Sequence, residues 1–202
     1  MTDILDPIQL FNAWFEEVKQ ADLPEPTAMV LATVSPEGQP SCRVVLLKAV
    51  DNRGFVFYTN LESRKGRELR ANARGALCFY WTRVGSPAAA TGARQVRVEG
   101  TVDEVSDAEA DFYFGSRPRG AQIGAWASQQ SAVLSSRAEL EATVRLFEQK
   151  FAEGTVPRPP FWGGFRIVPQ RIEFWASRED RLHDRMVFVR EGDAWMKQLL
   201  CP

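Results

Sequence analysis

Hydrophobic residues recur along the chain with two periods, and the switches between them mark out the elements. Ile8, Phe11, Trp14, Phe15 and Val18 fall at helical spacing, which predicts one amphipathic helix to about residue 20 within an N-terminal helical segment, 1–22. Asp6-Pro7 places an N-cap and a first-turn proline ahead of it, and Leu23-Pro24-Glu25-Pro26 breaks it. Strand-like runs follow. Ala28 to Val34 closes on the turn Ser35-Pro36-Glu37-Gly38. Arg43 to Val50 is a second run, turned by Asp51-Asn52-Arg53-Gly54 into Phe55 to Thr59. From Asn60 to Asn72 the period changes, with Leu61, Gly66 and Leu69 set among charges, and a surface helix is predicted. Ala76 to Trp81 and Gln95 to Val105 resume strand patterning; in the latter, Val96, Val98 and Gly100 alternate with Arg97, Glu99 and Thr101.

The small, uncharged stretch from Val84 to Ala93 reads as a mobile loop within a hairpin. A helical segment is predicted over 106–151. It opens on the capping box Ser106-Asp107-Ala108-Glu109, is interrupted at Arg117-Pro118-Arg119, resumes from Ala121 to Ser128, and restarts at a second box, Ser136-Arg137-Ala138-Glu139. Thr155 to Pro160 stops it as an extended connection. Four more strands, Phe165 to Val168, Ile172 to Trp175, Met186 to Arg190 and Ala194 to Leu200, complete a C-terminal segment over 161–202. Neither repeat nor boundary divides the chain. The fold class expected is mainly β with flanking α-helices, a small antiparallel barrel forming a single domain, 1–202.

Composition narrows the function. With 25 basic and 26 acidic residues among 202, the chain lacks the basic excess of a general nucleic-acid or membrane-surface binder. Its three cysteines, Cys42, Cys78 and Cys201, are far apart, and one histidine cannot complete a zinc site with them, so no metal is expected. The cysteines in strands, Cys42 and Cys78, are expected to be buried and inert. The acidic N-terminus lacks the start of a signal peptide and no apolar run reaches spanning length, which points to a reducing, cytoplasmic compartment.

Candidate chemistry lies in two places. Arg181-Leu182-His183-Asp184-Arg185 holds the only histidine, flanked by arginines at spacing two. On a strand or extended turn these three side chains would share a face with nothing obvious to neutralise them, an arrangement suited to an anionic or electron-rich ligand. A solvated hairpin end is the plainer alternative. The second block joins Arg43-Val44-Val45-Leu46-Leu47-Lys48 to Tyr58-Thr59 and Ser63-Arg64-Lys65-Gly66. A cation at each end of a buried-looking strand and a basic helix start with free N–H groups would suit two phosphates; basic ends snorkelling to water would look the same in sequence. Trp14, Phe11 and Phe15 read as core, and Trp162-Gly163-Gly164 as backbone packing.

Taken with Arg94 to Gly100, Ser116 to Arg119, Gln122 to Ser131 and Phe161 to Arg166, these blocks resemble the pyridoxine/pyridoxamine 5′-phosphate oxidase family, in the family's order from about Asp6 to Pro202. The resemblance implies a homodimeric split β-barrel that binds FMN at the subunit interface. It also implies oxidation of pyridoxine or pyridoxamine 5′-phosphate to pyridoxal 5′-phosphate, with O2 reduced to H2O2. Arg43, Val44, Val45, Leu46, Leu47, Lys48, Tyr58, Thr59, Arg64 and Lys65 would form the first part of the FMN site. Gln95, Gln130, Ser131, Trp175 and Arg185 would complete it, some from the other subunit. Lys48, Tyr113 and Arg117 would hold the substrate phosphate, while Arg181, Leu182 and His183 would lie at the substrate ring, Arg181 and His183 as the catalytic pair. No nucleic acid or membrane partner is implied.

The chain departs from the family pattern in three places. No arginine or tyrosine precedes Asp6, where the family has a lid segment; Ala121 stands where a serine usually adds a hydroxyl to the phosphate site; and the 84–93 loop is longer. Two other readings fit the same residues, a split-barrel flavin oxidase of the phenazine type acting on another substrate, and a non-catalytic carrier of FMN or pyridoxal phosphate. Arg181 and His183 speak against a carrier, which has no need of a ring-orienting pair.

Overall fold

The computed structural model describes residues 6–21, 23–82 and 92–202. The loop expected over 84–93 lies, apart from Gly92 and Ala93, outside them, as does the segment ahead of Asp6. The first helix, α1 (Pro7–Gln20), starts as its sequence predicts, with the Asp6 carboxylate accepting from the N–H groups of Ile8 and Gln9 at 2.7 and 3.3 Å. Its apolar stripe enters the barrel core. Phe11 is fully buried, with its ring 4.9 Å from that of Phe55 and 5.1 Å from that of Phe79. Each such ring removed from water contributes about 1.5–3 kcal/mol.

Nine strands make one antiparallel sheet among the described residues: β1 (Ala28–Val34), β2 (Pro40–Leu46), β3 (Ala49–Asp51), β4 (Gly54–Asn60), β5 (Arg74–Trp81), β6 (Arg94–Glu104), β7 (Trp162–Ala176), β8 (Asp184–Glu191) and β9 (Ala194–Leu199). Their order is β2-β1-β5-β6-β7-β4-β3, with β8 and β9 continuing from the far half of β7. The strand expected over Arg43 to Val50 is in fact two. At Leu47 and Lys48 the backbone leaves β1 for β4, Leu47 N–H donating to Thr27 O and Lys48 N–H to Val56 O, so the chain turns a barrel corner there. The opposite correction applies at Phe165 to Val168 and Ile172 to Trp175, which are one strand. Pro169, which has no N–H to give, is absorbed in a bulge where the register with β6 shifts between Glu99 and Gly100. Gly100 is required at that point, since a Cβ there would lie 2.0 Å from Val168 O.

Helix α2 (Arg64–Ala71) follows β4. Three more, α3 (Asp107–Ser116), α4 (Arg119–Ala127) and α5 (Arg137–Lys150), occupy the stretch between β6 and β7. Ser106 and Ser136 cap α3 and α5 as their boxes predict, each accepting from the glutamate N–H three residues on at 3.2 Å. These helices pack a second, smaller core, Phe114, Ile123, Val156 and Trp162, against the outer end of β7. Arg158 fastens it, donating to Asp107, Asp111 and Trp162 O.

Cys42 is exposed and Cys78 half-buried, not both buried as expected, because each faces outward on its strand; burial raises the Cys78 thiol pKa. No described helix is long and apolar enough to cross a membrane.

Candidate active site

Between the helical layer and the barrel lies a cavity of about 590 Å³. β2 and the corner after it bring Val44, Val45, Leu46 and Lys48 to its wall. β4 brings Tyr58, Thr59 and Asn60, α2 brings Lys65, and α3, α4 and the turns that follow them bring Tyr113, Arg117, Ala121 and Gln130. Residues more than seventy positions apart in sequence thereby share one space; Thr59 Oγ1 donates to Gln130 Oε1 at 2.9 Å.

The cavity has two basic regions with different surroundings. In the first, Lys65 Nζ donates to Gln130 Oε1 at 2.7 Å, with Thr59 and Ser63 hydroxyls at 3.3 Å. Burial, then the nearby Arg43 charge, lowers the Lys65 pKa. Ser63 caps α2, accepting from Gly66 N–H at 3.3 Å, so the free N–H groups of the first turn sit beside the ammonium. In the second, Arg117 rests on an aromatic wall. Tyr58 and Tyr113 stack at 4.1 Å, Tyr58 and Trp162 at 5.5 Å, and the Arg117 guanidinium lies 4.8 Å from the Trp162 centroid. Arg117 Nη1 is buried and meets no hydrogen-bond partner among the described residues, and burial lowers its pKa. A buried guanidinium donor with no acceptor is costly unless an anion completes it. This is the observation that tests for a phosphate ligand, and the residues present fit one.

Other expected residues do not line this cavity. Arg43 points inward from β2 and spends both Nη groups on Thr33, Ser41, Leu31 O and the buried carboxylate of Glu68. Leu47 is in the core. Arg64 is bound at Nε to Glu68 and its side chain is half-exposed. Ser131 lines a neighbouring groove with Gln130, Asn60 and Phe161. Gln95, Trp175 and Arg185 form one cross-strand row with Tyr80, on the outward face of β5, β6, β7 and β8.

The expectation that Arg181, His183 and Arg185 share a strand face is not met. Glu179–Arg181 is a 3₁₀ turn in which Asp180 and Arg181 have φ of 54° and 62°, so Arg181 leaves the chain before the strand begins. Nor is the cluster without counter-charge. Arg185 Nε and Nη2 lie 2.9 and 2.8 Å from Glu173 Oε1. His183 accepts at Nδ1 from the N–H of Arg178 at 3.1 Å, which leaves Nε2 as the donor, and its ring lies 4.6 Å from that of Trp175. His183 and Arg185 line a second, smaller cavity of about 320 Å³ with Trp14, Arg94 and Phe174; Leu182 is exposed.

Sequence reasoning missed Trp162, which forms the cavity wall, and the buried carboxylates Glu68 and Glu173. Gly163 and Gly164 do serve packing, since a Cβ at Gly164 would lie 2.6 Å from the Tyr58 ring.

A mostly β barrel with flanking helices, enclosing a cavity with two basic regions, defines a protein of the split-barrel class. The chain belongs to the pyridoxamine 5′-phosphate oxidase family. Residues 15–151 match the family model "Pyridoxamine 5′-phosphate oxidase", and residues 162–202 match "Pyridoxine 5′-phosphate oxidase C-terminal dimerisation region". Among relatives, a pyridoxine/pyridoxamine 5′-phosphate oxidase of Myxococcus xanthus is 59% identical over 98% of this chain and 92% of its own length. One from Rubrobacter xylanophilus is 55% identical over 98% and 87%. Among solved structures, PhzG from Burkholderia lata, in complex with tetrahydrophenazine-1-carboxylic acid, superposes with a TM-score of 0.89 at 32% identity, covering 99% of this chain and 94% of its own.

Proposed function

We propose that the protein is an FMN-dependent oxidase that converts pyridoxine 5′-phosphate or pyridoxamine 5′-phosphate to pyridoxal 5′-phosphate, acting as a homodimer. The observation that carries this reading is Arg117, a buried cation on an aromatic shelf with an unused donor turned to no protein acceptor. Relatives named for this oxidase at more than half identity over the full chain support it.

Lys65, the first turn of α2 and Arg64 would hold the FMN phosphate, with Thr59 and Gln130 beside them. Lys48, Tyr113 and Arg117 would hold the phosphate of the substrate. FMN supplies, when bound, a hydride acceptor for the substrate 4′ carbon and passes the electrons to O2, which leaves as H2O2. The protein's part is placement. Arg181 would lie over the pyridine ring and His183 Nε2 would donate to a ring substituent, its Nδ1 being held by Arg178 N–H.

That pair and the row Gln95, Trp175, Arg185 stand outside the large cavity, which supports a second copy of the chain as their source. The outward sheet face carries Val44, Tyr80 and Val30 at 64%, 58% and 39% exposure. Val44 is also on the rim of the cavity. Packing two such faces together would bury this apolar patch and bring the Gln95–Trp175–Arg185 row of one subunit to the cavity of the other.

A phenazine-type oxidase is the second reading, favoured by the superposition on PhzG. Two separate basic regions suit two phosphates better than one phosphate and a carboxylated ring. The test is to purify the protein, look for bound flavin and a dimer, and assay peroxide on adding pyridoxine 5′-phosphate. A colourless monomer that takes up no FMN, or a flavoprotein indifferent to pyridoxine and pyridoxamine phosphates, would overturn the reading.

A further inference from the structure

We infer that Glu68 is a positioning residue for the phosphate end of the flavin site, acting through Arg64 and Lys65; the inference rests on the FMN reading above. Glu68 is a carboxylate at 4% exposure, one of few charged groups so deeply buried here. One oxygen accepts from Arg64 Nε at 2.8 Å. The other accepts from the Thr33 and Ser41 hydroxyls at 2.5 and 2.9 Å and from Arg43 Nη2 at 3.2 Å. Each oxygen thus holds one arginine, and both hydroxyls add to the oxygen that holds Arg43.

The division of labour follows from which donors are used. Arg43 is consumed by Glu68, Thr33, Ser41 and Leu31 O, so it buttresses the carboxylate. Arg64 gives Glu68 its Nε, and neither of its Nη groups makes a hydrogen bond among the described residues. Fixing Nε fixes the guanidinium plane, and the Nη edge is left for a ligand. Lys65, the next residue, feels both neighbours. Arg43 works against its charge and Glu68 supports it. With Glu68 ionised, Arg43, Arg64 and Lys65 leave two net positive charges, the complement of a phosphate dianion. A core-filling residue in its place would leave three crowded cations and a swinging Arg64.

A role in holding phosphate is separable from a role in holding the fold, because riboflavin carries the same ring without the phosphate. FMN and riboflavin affinities should be measured by titrating apo-protein of the wild type, Glu68→Gln, Arg64→Ala and the double variant. Glu68→Gln keeps the side chain's shape and one acceptor, and so serves even if Glu68→Ala does not fold. FMN affinity is expected to fall about ten- to a hundredfold in Glu68→Gln, the scale of one lost charge-assisted contact, while riboflavin affinity holds. The losses in Glu68→Gln and Arg64→Ala should be less than additive in the double variant, because one acts through the other. Unchanged or tighter FMN binding, equal losses of FMN and riboflavin, or additive losses would each overturn the inference. Wild-type protein that binds FMN no tighter than riboflavin would instead refute the reading beneath it.

Discussion

The guanidinium of Arg117 lies over the Trp162 ring at 4.8 Å while its Nη1 stays buried without a partner among the described residues. The ring face orients the cation without satisfying its N–H groups, so the donor is held ready for an anion. Arg117→Ala, and Lys48→Ala across the cavity, should raise KM for the phosphorylated substrate. Each removes a charge-assisted contact of about 1.5–3 kcal/mol, or roughly ten- to a hundredfold. Arg117→Lys should not restore it, since a compact ammonium cannot keep the planar contact with Trp162. Steady-state kinetics with a flavin absorbance check decide this. A variant that binds substrate normally but loses flavin would reverse the assignment of the two phosphate regions.

Ala121 lines the same cavity as Arg117, at the start of α4, where the family pattern has a serine. Adding a hydroxyl donor should strengthen the hold on a phosphate. Ala121→Ser is expected to lower KM for pyridoxine 5′-phosphate by a few fold, about 0.5–1.5 kcal/mol. Any activity on pyridoxine, which lacks the phosphate, should not change. An equal gain for both compounds would place residue 121 away from the phosphate.

Much of this site was readable where local rules apply. Asp6, Ser106 and Ser136 cap the helices their spacing predicts, and Lys48, Tyr58, Thr59 and Lys65, singled out by their own residue types, line one cavity; Tyr113, Arg117 and Gln130, which line it too, are named only by the family resemblance. Local rules fail where the partner is remote. The run from Arg43 to Val50 looks like one strand, because the exchange of β1 for β4 at Leu47 is a property of barrel closure. Pro169 looks like a strand end, because the bulge that absorbs it depends on Gly100 in another strand. Glu68 and Glu173 look like ordinary surface acids. Their burial is made with arginines from other elements, Arg43 in one case and Arg97 and Arg185 in the other, where Arg171 of Glu173's own strand joins them.

Glu68 also gives an acid-stability prediction. Burial opposes its ionisation, but hydrogen bonds from Thr33, Arg64 and Ser41 together outweigh this and bring its pKa down from 4.5 to about 2. A carboxyl depressed in the folded state binds its proton more readily when unfolded. Its contribution is therefore complete above pH 4.5 and fades as pH falls toward about 2. The shift corresponds to about 3 kcal/mol at most. Chemical denaturation of the wild type should lose stability across that window, and Glu68→Gln, with nothing to protonate, should show a flatter profile there. Parallel profiles would mean that the acid limb belongs to other carboxylates.

Arg181, His183 and Arg185 are close in sequence but differently held, and the difference separates their expected roles. Arg181 sits in a left-handed turn at φ 62° and is exposed, a conformation that costs on the order of 1–3 kcal/mol and persists at sites that use it. His183 is fixed at Nδ1 by Arg178 N–H and packed beside Trp175. Arg185 is locked to Glu173 and to the carbonyl of Cys201. If the first two orient the substrate ring, Arg181→Ala and His183→Ala should lower turnover far more than they weaken FMN binding. A ring displaced by about 1 Å still binds through its phosphate yet loses on the order of a hundredfold in rate. Arg185→Ala should instead cost flavin affinity. Glu173 keeps Arg97 and Arg171 at 3.3 and 3.4 Å, so the buried carboxylate is not left alone and the fold should survive the change. Turnover numbers and FMN titrations on the three variants, with thermal melts as the control for folding, distinguish the roles. Unchanged turnover in both Arg181→Ala and His183→Ala would remove this turn from the reacting face and favour a protein that carries its ligand without transforming it.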